Sequence, residues 1–208
     1  MLTPIFSPFF WSTSITSDDD FYLDHLKELI EENYYKDPNN AWDWNVHTSY
    51  GAEDKLPHRI DWNELLQSYY RPYIESFLKE YFGADTQYTV SGTPWYTVYG
   101  KGQNANTHEH LPDHFAVVHF LKFNPNVHWP ISFVNPNGAA TKYFLNSNDN
   151  VKSKIDFNNS TQSFYHPRFT PKLNEGDLVI FPGQLEHLVE KNHSDEIRIT
   201  IAFNINII

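Results

Sequence analysis

Residues 104 to 114, NANTHEHLPDH, concentrate side chains that bind metal ions in proteins. They are His108, Glu109, His110, Asp113 and His114. On a β-strand, side chains two residues apart point to the same face. His108 and His110 can therefore direct neutral imidazoles at one cation while Glu109 faces away. The segment is equally compatible with a polar surface loop that is rich in histidine.

A second set of candidate residues lies near the C-terminal end, in KLNEGDLVIFPGQLEHLVEKNHSDEIRITIAFNI. GDLVIFPG predicts a buried strand between two turns, and His187 follows it at the start of another strand. Arg198 lies within the apolar strand RITIAFNI. A buried Arg requires an anionic partner, either an internal carboxylate or the carboxylate of a ligand held by two parallel hydrogen bonds.

The order of these features resembles the Fe(II)/2-oxoglutarate-dependent oxygenases. The shared pattern is an early H-x-(D or H), a distal His after a strand similar to GDLVIFPG, and a later Arg in an R-x-T context. PWYTVYGKGQNANTHEH and RITIAFN are similar to the small, prolyl-hydroxylase-like branch found in phages and marine bacteria. The resemblance extends over residues 88 to 208, with a looser similarity in IFSPFF near the N-terminus.

This resemblance implies a double-stranded β-helix, a jelly roll of the cupin type that holds iron at its open end. By position, His108 and His187 would be iron ligands, and Arg198 would bind the distal carboxylate of 2-oxoglutarate. The cofactors would be Fe(II) and 2-oxoglutarate. The hydroxyl groups expected to assist Arg198 are those of Thr200 and of either Tyr96 or Tyr99.

The third ligand departs from the usual family pattern. Most members carry a carboxylate two residues after the first His, and that position is His110 here. Either the site uses three His residues, or His110 turns aside and Asp113 supplies a carboxylate. The strand spacing favours His110, because Asp113 can reach the site only if Pro112 reverses the chain.

The remaining histidines are not expected to bind metal. His114 and His119 are interpreted as supporting or packing residues, and Asp113 is a candidate for orienting a ligand imidazole. The histidines expected at the surface or in loops are His25, His47, His58, His128, His166 and His193.

The pattern of predicted helices and strands around these residues indicates one mainly β domain over residues 1–208. Residues 1–83 are expected to form a strand and two helices that pack on the barrel, and residues 84–208 the jelly-roll core. Ser17 is the predicted N-cap of the first helix, and Asp61 with Glu64 forms a capping-box pattern for the second. Gly83 is expected to end that helix and Pro72 to kink it. The predicted strands are QYTVS, PWYTVYG, HFAVVHFLKF, WPISFVN, KYFLN, SFYHPRF, GDLVIFPG, HLVEKN and RITIAFNINI.

Composition excludes several other functions. The net charge of -11 and the lack of a basic stripe argue against nucleic acid as a partner. The absence of cysteine excludes disulfides, thiolate zinc sites and Cys nucleophiles. No apolar stretch approaches the roughly 20 residues of a membrane span. A soluble protein of the bacterial cytoplasm, including that of a phage-infected host, is expected.

The leading hypothesis is a dioxygenase that hydroxylates a C–H bond of a small molecule or a peptide, such as a proline side chain, and releases succinate and CO2. One alternative is a cupin-type metal protein with three His ligands and different chemistry. Another is a non-catalytic jelly-roll binding protein. Arg198 discriminates among them, because only the oxygenase needs a buried cation for its cosubstrate. Trp95 and Trp129 are interpreted as either core residues or the lining of a substrate cleft.

Overall fold

The computed structural model describes residues 9–15, 20–38, 45–138 and 166–208. Its described part contains two antiparallel sheets, in the orders β1-β8-β5-β10-β3-β2 and β4-β9-β6-β7. The strands are β1 (Trp11–Ser14), β2 (His47–Thr48), β3 (Tyr88–Tyr99), β4 (Ala105–His108), β5 (Phe115–Lys122), β6 (Ile131–Val134), β7 (Arg168–Phe169), β8 (Asp177–Pro182), β9 (His187–Val189) and β10 (Arg198–Ile207). The mainly β double-stranded β-helix expected from the resemblance is confirmed.

Helices cover the outer face of the six-stranded sheet. They are α1 (Asp20–Lys36), a 3-10 turn (Glu53–Lys55), α2 (Trp62–Leu65), a π-helical turn (Leu66–Tyr70) and α3 (Arg71–Phe82). Apolar side chains of α1 and α3 share one buried cluster with β5, β8 and β10. None of the described helices has both the length and the apolar character needed to cross a membrane.

The second helical segment begins and ends where the sequence predicts. The Asp61 carboxylate accepts a hydrogen bond from the Glu64 N–H at 3.0 Å. Gly83 ends the helix with a φ of 72°, which a residue without a Cβ adopts at little cost. The π-helical turn ends two residues before Pro72, whose ring and missing N–H disrupt a regular α-helix at this point.

Two predicted strands are joined, and some predictions fall outside the described residues. QYTVS and PWYTVYG form the single strand β3, with an irregularity opposite Ala202 and Asn204 where Gly92 has a φ of 68°. The predicted N-cap Ser17, the strand KYFLN and the first part of SFYHPRF lie outside the described residues.

Strand β10 alternates between the two layers, as expected for side chains of period two. One set of its side chains packs towards the helices: Ile199, Ile201, Phe203 and Ile205. The other set faces a cavity between the sheets: Arg198, Thr200, Ala202 and Asn204. The prediction that Arg198 and Thr200 share one strand face is therefore confirmed.

Two histidines that were predicted at the surface or in loops are buried. The prediction is wrong for His47, which lies in strand β2, whereas His128 lies in a loop as predicted but is not at the surface. His47 is 0% exposed; its Nδ1 donates to the Asp37 carbonyl oxygen at 2.7 Å, and its Nε2 accepts from the Tyr96 hydroxyl at 3.1 Å. His128 is 6% exposed, and its Nε2 donates to the Glu196 carbonyl oxygen at 3.1 Å. The Nδ1 of His128 accepts from the Asn124 N–H at 3.0 Å, so both ring nitrogens of each histidine have partners, which allows the neutral imidazoles to be buried.

His119 is a packing residue whose protonation is coupled to folding. It is 1% exposed, and its Nδ1 accepts from the Tyr70 hydroxyl at 2.9 Å. Burial, with a smaller contribution from Lys27, lowers the pKa of His119 from 6.5 to about 3. As the pH falls, His119 is therefore protonated in the unfolded chain before it is protonated in the folded one. The contribution of neutral His119 to the free energy of unfolding is complete above about pH 6.5 and is lost towards pH 3.

Removing this buried imidazole should make the protein less sensitive to acid. Between about pH 6.5 and pH 5, wild type is expected to lose about 2 kcal/mol more unfolding free energy than the double variant His119→Leu/Tyr70→Phe. Urea unfolding at the two pH values measures the difference. Tyr70→Phe alone is the control, because it retains His119 and should keep the steep pH dependence. Equal losses in wild type and the double variant would contradict this account.

Candidate metal centre

Three histidines from separate parts of the chain meet between the sheets. One ring nitrogen from each of His108, His110 and His187 lies within 4.8 Å of the other two. His108 ends β4 and is paired with His187, the first residue of β9. The prediction that these residues come together agrees with the structure. The strand argument for His110 is wrong, because β4 ends at His108 and His110 lies in the following turn.

Hydrogen bonds orient two of these rings towards the centre. His108 donates from Nδ1 to the Asn106 carbonyl oxygen at 2.7 Å, and His187 donates from Nδ1 to the Leu185 carbonyl oxygen at 2.9 Å. A ring that donates from Nδ1 presents a lone pair at Nε2. The Nε2 atoms of His110 and His187 are 3.2 Å apart. The three rings therefore converge as metal-binding imidazoles do.

The surroundings keep these imidazoles neutral. Burial, with a smaller contribution from the neighbouring His108, lowers the pKa of His110 to about 4 and that of His187 to about 3. Burial also lowers the pKa of His108. The neutral ring is the form that binds a metal, so near neutral pH the cluster needs to release no proton first.

The alternative ligand Asp113 is engaged elsewhere. Its two carboxylate oxygens accept hydrogen bonds from the side-chain amides of Asn204 at 2.7 Å and Asn206 at 2.8 Å. Asp113 borders the cavity but is not part of the converging set. This geometry supports His110 over Asp113 as the third ligand, an assignment that stays a prediction.

The turn that carries His110 is held against Gly183. The His110 N–H donates to the Gly183 carbonyl oxygen at 2.8 Å, and the Gly183 N–H donates to the His114 carbonyl oxygen at 2.9 Å. A Cβ atom on Gly183 would lie 2.1 Å from the carbonyl oxygen of Asp113. Only glycine permits this approach of two backbone segments.

Gly183→Ala is therefore expected to displace the turn and weaken metal binding. The dissociation constant for Mn(II) should rise at least about tenfold, as when support around a ligand is lost, and overpacking should cost about 1–3 kcal/mol of stability. Calorimetric titration and thermal unfolding measure the two effects. Gly138→Ala is the control, because a Cβ there meets nothing within 4 Å. Unchanged Mn(II) affinity in Gly183→Ala would show that the turn does not position the site.

Arg198 borders the same cavity, which has a volume of about 450 Å³. Its Nη1 donates to the Trp129 carbonyl oxygen, and its guanidinium lies 4.1 Å from the centroid of the Tyr99 ring. Among the described residues, Nε and Nη2 have no hydrogen-bond partner, and no carboxylate forms an ion pair with Arg198. Burial lowers its pKa to about 10, so it is charged near neutral pH. A buried cation with two unused donors fits a ligand carboxylate.

The predicted hydroxyl groups differ in position. Thr200 borders the cavity beside Arg198, and Tyr99 is the register partner of Arg198 on β3. The prediction for Tyr96 is not supported, because its side chain lies on the opposite face of β3, among the residues packed against the helices. Strand alternation permits only one of the two tyrosines to reach the cavity.

The sequence reasoning did not identify Asn204 and Asn206. The sequence does indicate that these two residues are on the polar face of β10, since both continue the two-residue spacing of Arg198 and Thr200 along an otherwise apolar strand. Trp95 lines the cavity as one of the predicted cleft aromatics. Trp129 does not, because its side chain is 59% exposed outside the cavity and only its carbonyl group contacts Arg198.

Comparison with known families identifies the chain. The family model described as "Putative 2OG-Fe(II) oxygenase" matches residues 93–204, more than half of the sequence. The chain belongs to this oxygenase family. The cofactors of this 2OG-Fe(II) oxygenase are therefore Fe(II) and 2-oxoglutarate, as the resemblance implied. No curated protein matches the sequence.

Solved structures share the fold of this oxygenase at low identity. A non-heme alpha ketoglutarate dependent carbocyclase from nogalamycin biosynthesis is 15% identical, with 95% of this chain and 79% of that chain covered and a TM-score of 0.60. A Pseudomonas putida prolyl-4-hydroxylase is 9% identical, with 95% and 93% covered and a TM-score of 0.55. An epimerase solved with Fe3+, alpha ketoglutarate and nogalamycin RO is 12% identical, with 96% and 79% covered and a TM-score of 0.57.

Proposed function

We propose that the chain uses dioxygen to hydroxylate a C–H bond of a small molecule or peptide. One oxygen atom enters the product and the other enters succinate as 2-oxoglutarate loses CO2. The observation that carries the proposal is the pairing, in one cavity, of three converging imidazoles with the buried Arg198, whose Nε and Nη2 have no partner among the described residues. A cupin that uses no acidic cosubstrate does not need such a cation. A non-catalytic protein needs neither feature.

One set of residues would bind the metal, and another would bind the cosubstrate. His108, His110 and His187 would hold Fe(II) through their Nε2 atoms. Arg198 would form two parallel hydrogen bonds with the distal carboxylate of 2-oxoglutarate, and Thr200 would donate a third. When bound, Fe(II) and 2-oxoglutarate supply oxidative decarboxylation coupled to the insertion of one oxygen atom into a C–H bond. The chain's task is to position these groups and to exclude bulk water.

An aromatic wall next to the imidazoles suggests the substrate class. Trp95 stacks with His110 at a centroid distance of 5.9 Å, and the Tyr50 ring meets Trp95 edge-on at 5.2 Å. Among the described lining residues, Arg198 is the only Lys or Arg, whereas Glu109 is acidic. Because Arg198 is assigned to the cosubstrate, we propose a neutral or cationic substrate with a flat apolar face.

Three indole probes of different charge test this preference. The protein loaded with Zn(II) and 2-oxoglutarate, so that Arg198 is occupied, should bind indole-3-acetamide and tryptamine more tightly than indole-3-acetate. Trp95→Ala should weaken binding of the first two about 3- to 10-fold, the expected contribution of one aromatic contact. Saturation-transfer NMR measures binding, and Trp129→Ala is the matched control. Preferential binding of the acetate would refute the proposed substrate class.

Anaerobic addition of Fe(II) and 2-oxoglutarate tests the reaction itself. A visible metal-to-ligand charge-transfer band is expected, followed by equimolar succinate and CO2 when oxygen is admitted. If iron binds and no band forms, the dioxygenase proposal fails and the three-His cupin alternative takes its place.

A further inference from the structure

The three proposed ligands leave the metal without a neutralising charge. Three neutral imidazoles contribute none, whereas the set of two His and one carboxylate contributes one negative charge. The Asp113 carboxylate lies close by, and the Asp113 N–H donates to the His110 carbonyl oxygen at 2.9 Å. A negative charge is therefore present beside the ligands, outside the converging set.

Asn204 contacts this carboxylate and borders the same cavity as His110. Its amide nitrogen donates to the Asp113 carboxylate at 2.7 Å. A carboxylate only accepts hydrogen bonds, so this contact fixes the amide orientation and directs Oδ1 away from Asp113. Oδ1 is buried and has no hydrogen-bond partner among the described residues. A buried acceptor without a partner is costly, which indicates that it serves a donor in the assembled site.

The donor is identified by comparison of the three rings. His108 and His187 each donate Nδ1–H to a backbone carbonyl oxygen two residues earlier, which leaves Nε2 for the metal. The Nε2 of His110 lies 3.2 Å from that of His187, so its Nδ1 faces away from the centre. The side chains of His110 and Asn204 border the same cavity, and Oδ1 of Asn204 is a buried acceptor without a partner among the described residues.

We propose that Asn204 is a positioning residue that links Asp113 to His110. Its Oδ1 accepts the Nδ1–H of His110 while its Nδ2–H donates to Asp113, so the negative charge of Asp113 acts on the metal centre through two hydrogen bonds. The chain Asp113–Asn204–His110 holds the imidazole in the tautomer that binds metal and makes Nε2 a stronger donor. This inference rests on the proposed metal site.

Asn206 provides a matched control for the experiment. Its amide donates to the other oxygen of Asp113 at 2.8 Å, and its own oxygen accepts from the His114 N–H at 3.0 Å. Asn206 therefore clamps the same turn and carboxylate, but it does not line the cavity that His110 borders. A merely structural role would make the Asn204 and Asn206 variants similar.

The test compares Asn204→Leu, Asn206→Leu and Asp113→Asn by titration with Mn(II) and by the absorption spectrum of the Co(II) form. Asn204→Leu is expected to weaken Mn(II) binding about 10- to 100-fold and to alter the Co(II) bands. Asn206→Leu should stay within about threefold of wild type and keep the wild-type bands. Thermal unfolding in EDTA verifies that each variant folds.

A double-mutant cycle isolates the proposed link. If Asn204 transmits the charge of Asp113, the double variant Asn204→Leu/Asp113→Asn should bind Mn(II) little more weakly than Asn204→Leu alone. If the two substitutions weaken Mn(II) binding independently, so that their fold-changes multiply in the double variant, the link is overturned. Equal losses of Mn(II) affinity in Asn204→Leu and Asn206→Leu would also overturn it. If the wild-type protein itself binds neither Mn(II) nor Co(II), the proposed metal site is refuted. Restoration of binding by Asn204→Gln would support the amide as the required group.

Discussion

Arg198→Met is expected to raise the dissociation constant for 2-oxoglutarate at least about 30-fold and to leave Fe(II) affinity within a few-fold. Removing one partner of a buried, hydrogen-bonded charge pair costs about 2–5 kcal/mol, and every 1.4 kcal/mol is tenfold in affinity. Arg198 lines the cavity, and its Nε and Nη2 have no hydrogen-bond partner among the described residues. Anaerobic titration of the iron-loaded protein with 2-oxoglutarate measures the change.

The free energy of unfolding of Arg198→Met provides an independent test of this prediction. Without ligand, Arg198→Met should be as stable as wild type or more stable, because an apolar side chain replaces an incompletely paired buried charge. Saturating 2-oxoglutarate should stabilise wild type but not the variant. Arg168→Met is the matched control, since Arg168 is exposed and paired with Glu190 at 2.9 Å. Undiminished 2-oxoglutarate affinity in Arg198→Met would remove the main support for the proposed function.

His110→Ala and Asp113→Ala are expected to separate the two candidates for the third ligand. His110→Ala removes a donor atom and should abolish saturable Fe(II) binding at concentrations that saturate wild type. Asp113→Ala should weaken binding about tenfold, the effect typical of a residue behind a ligand. The reason is geometric: His110 belongs to the converging set, whereas Asp113 is held by two amides.

Iron binding under anaerobic conditions, with a chelator as competitor, distinguishes the outcomes. Glu109→Ala is the control, because Glu109 is exposed and lies between the two proposed ligands in sequence. If Asp113→Ala abolishes binding while His110→Ala retains it, Asp113 is the ligand and the three-imidazole assignment is wrong.

Sequence periodicity predicted the parts of the site that lie on regular strands. The shared face of Arg198 and Thr200 follows from alternation along β10, whereas the meeting of His108 with His187 was implied by the family resemblance. The choice between Tyr96 and Tyr99 was not accessible in this way. It depends on the register of β3, which carries an irregularity at Gly92.

The remaining features depend on contacts between segments that are distant in sequence. His110 is placed by a turn that packs on Gly183, and the amides that hold Asp113 belong to β10. His47 was assigned to the surface or a loop, because its partners, the Asp37 carbonyl group and the Tyr96 hydroxyl, give no local signal. Local patterns identify the types of residue in this site but not the tertiary hydrogen bonds that orient them.

The alternation of β10 also separates the chemistry at the cavity from the stability of the core, two properties that are often difficult to change independently. Its cavity-facing positions, Arg198, Thr200, Ala202 and Asn204, succeed one another from the proposed cosubstrate contact to the proposed metal support, about 7 Å per step. Its other side chains belong to the core that binds the helices to the sheet. Substitutions at the first set can thus redirect chemistry with little loss of folding energy, and substitutions at the second can stabilise the protein without altering specificity. An insertion of one residue would exchange the two sets and destroy both properties at once.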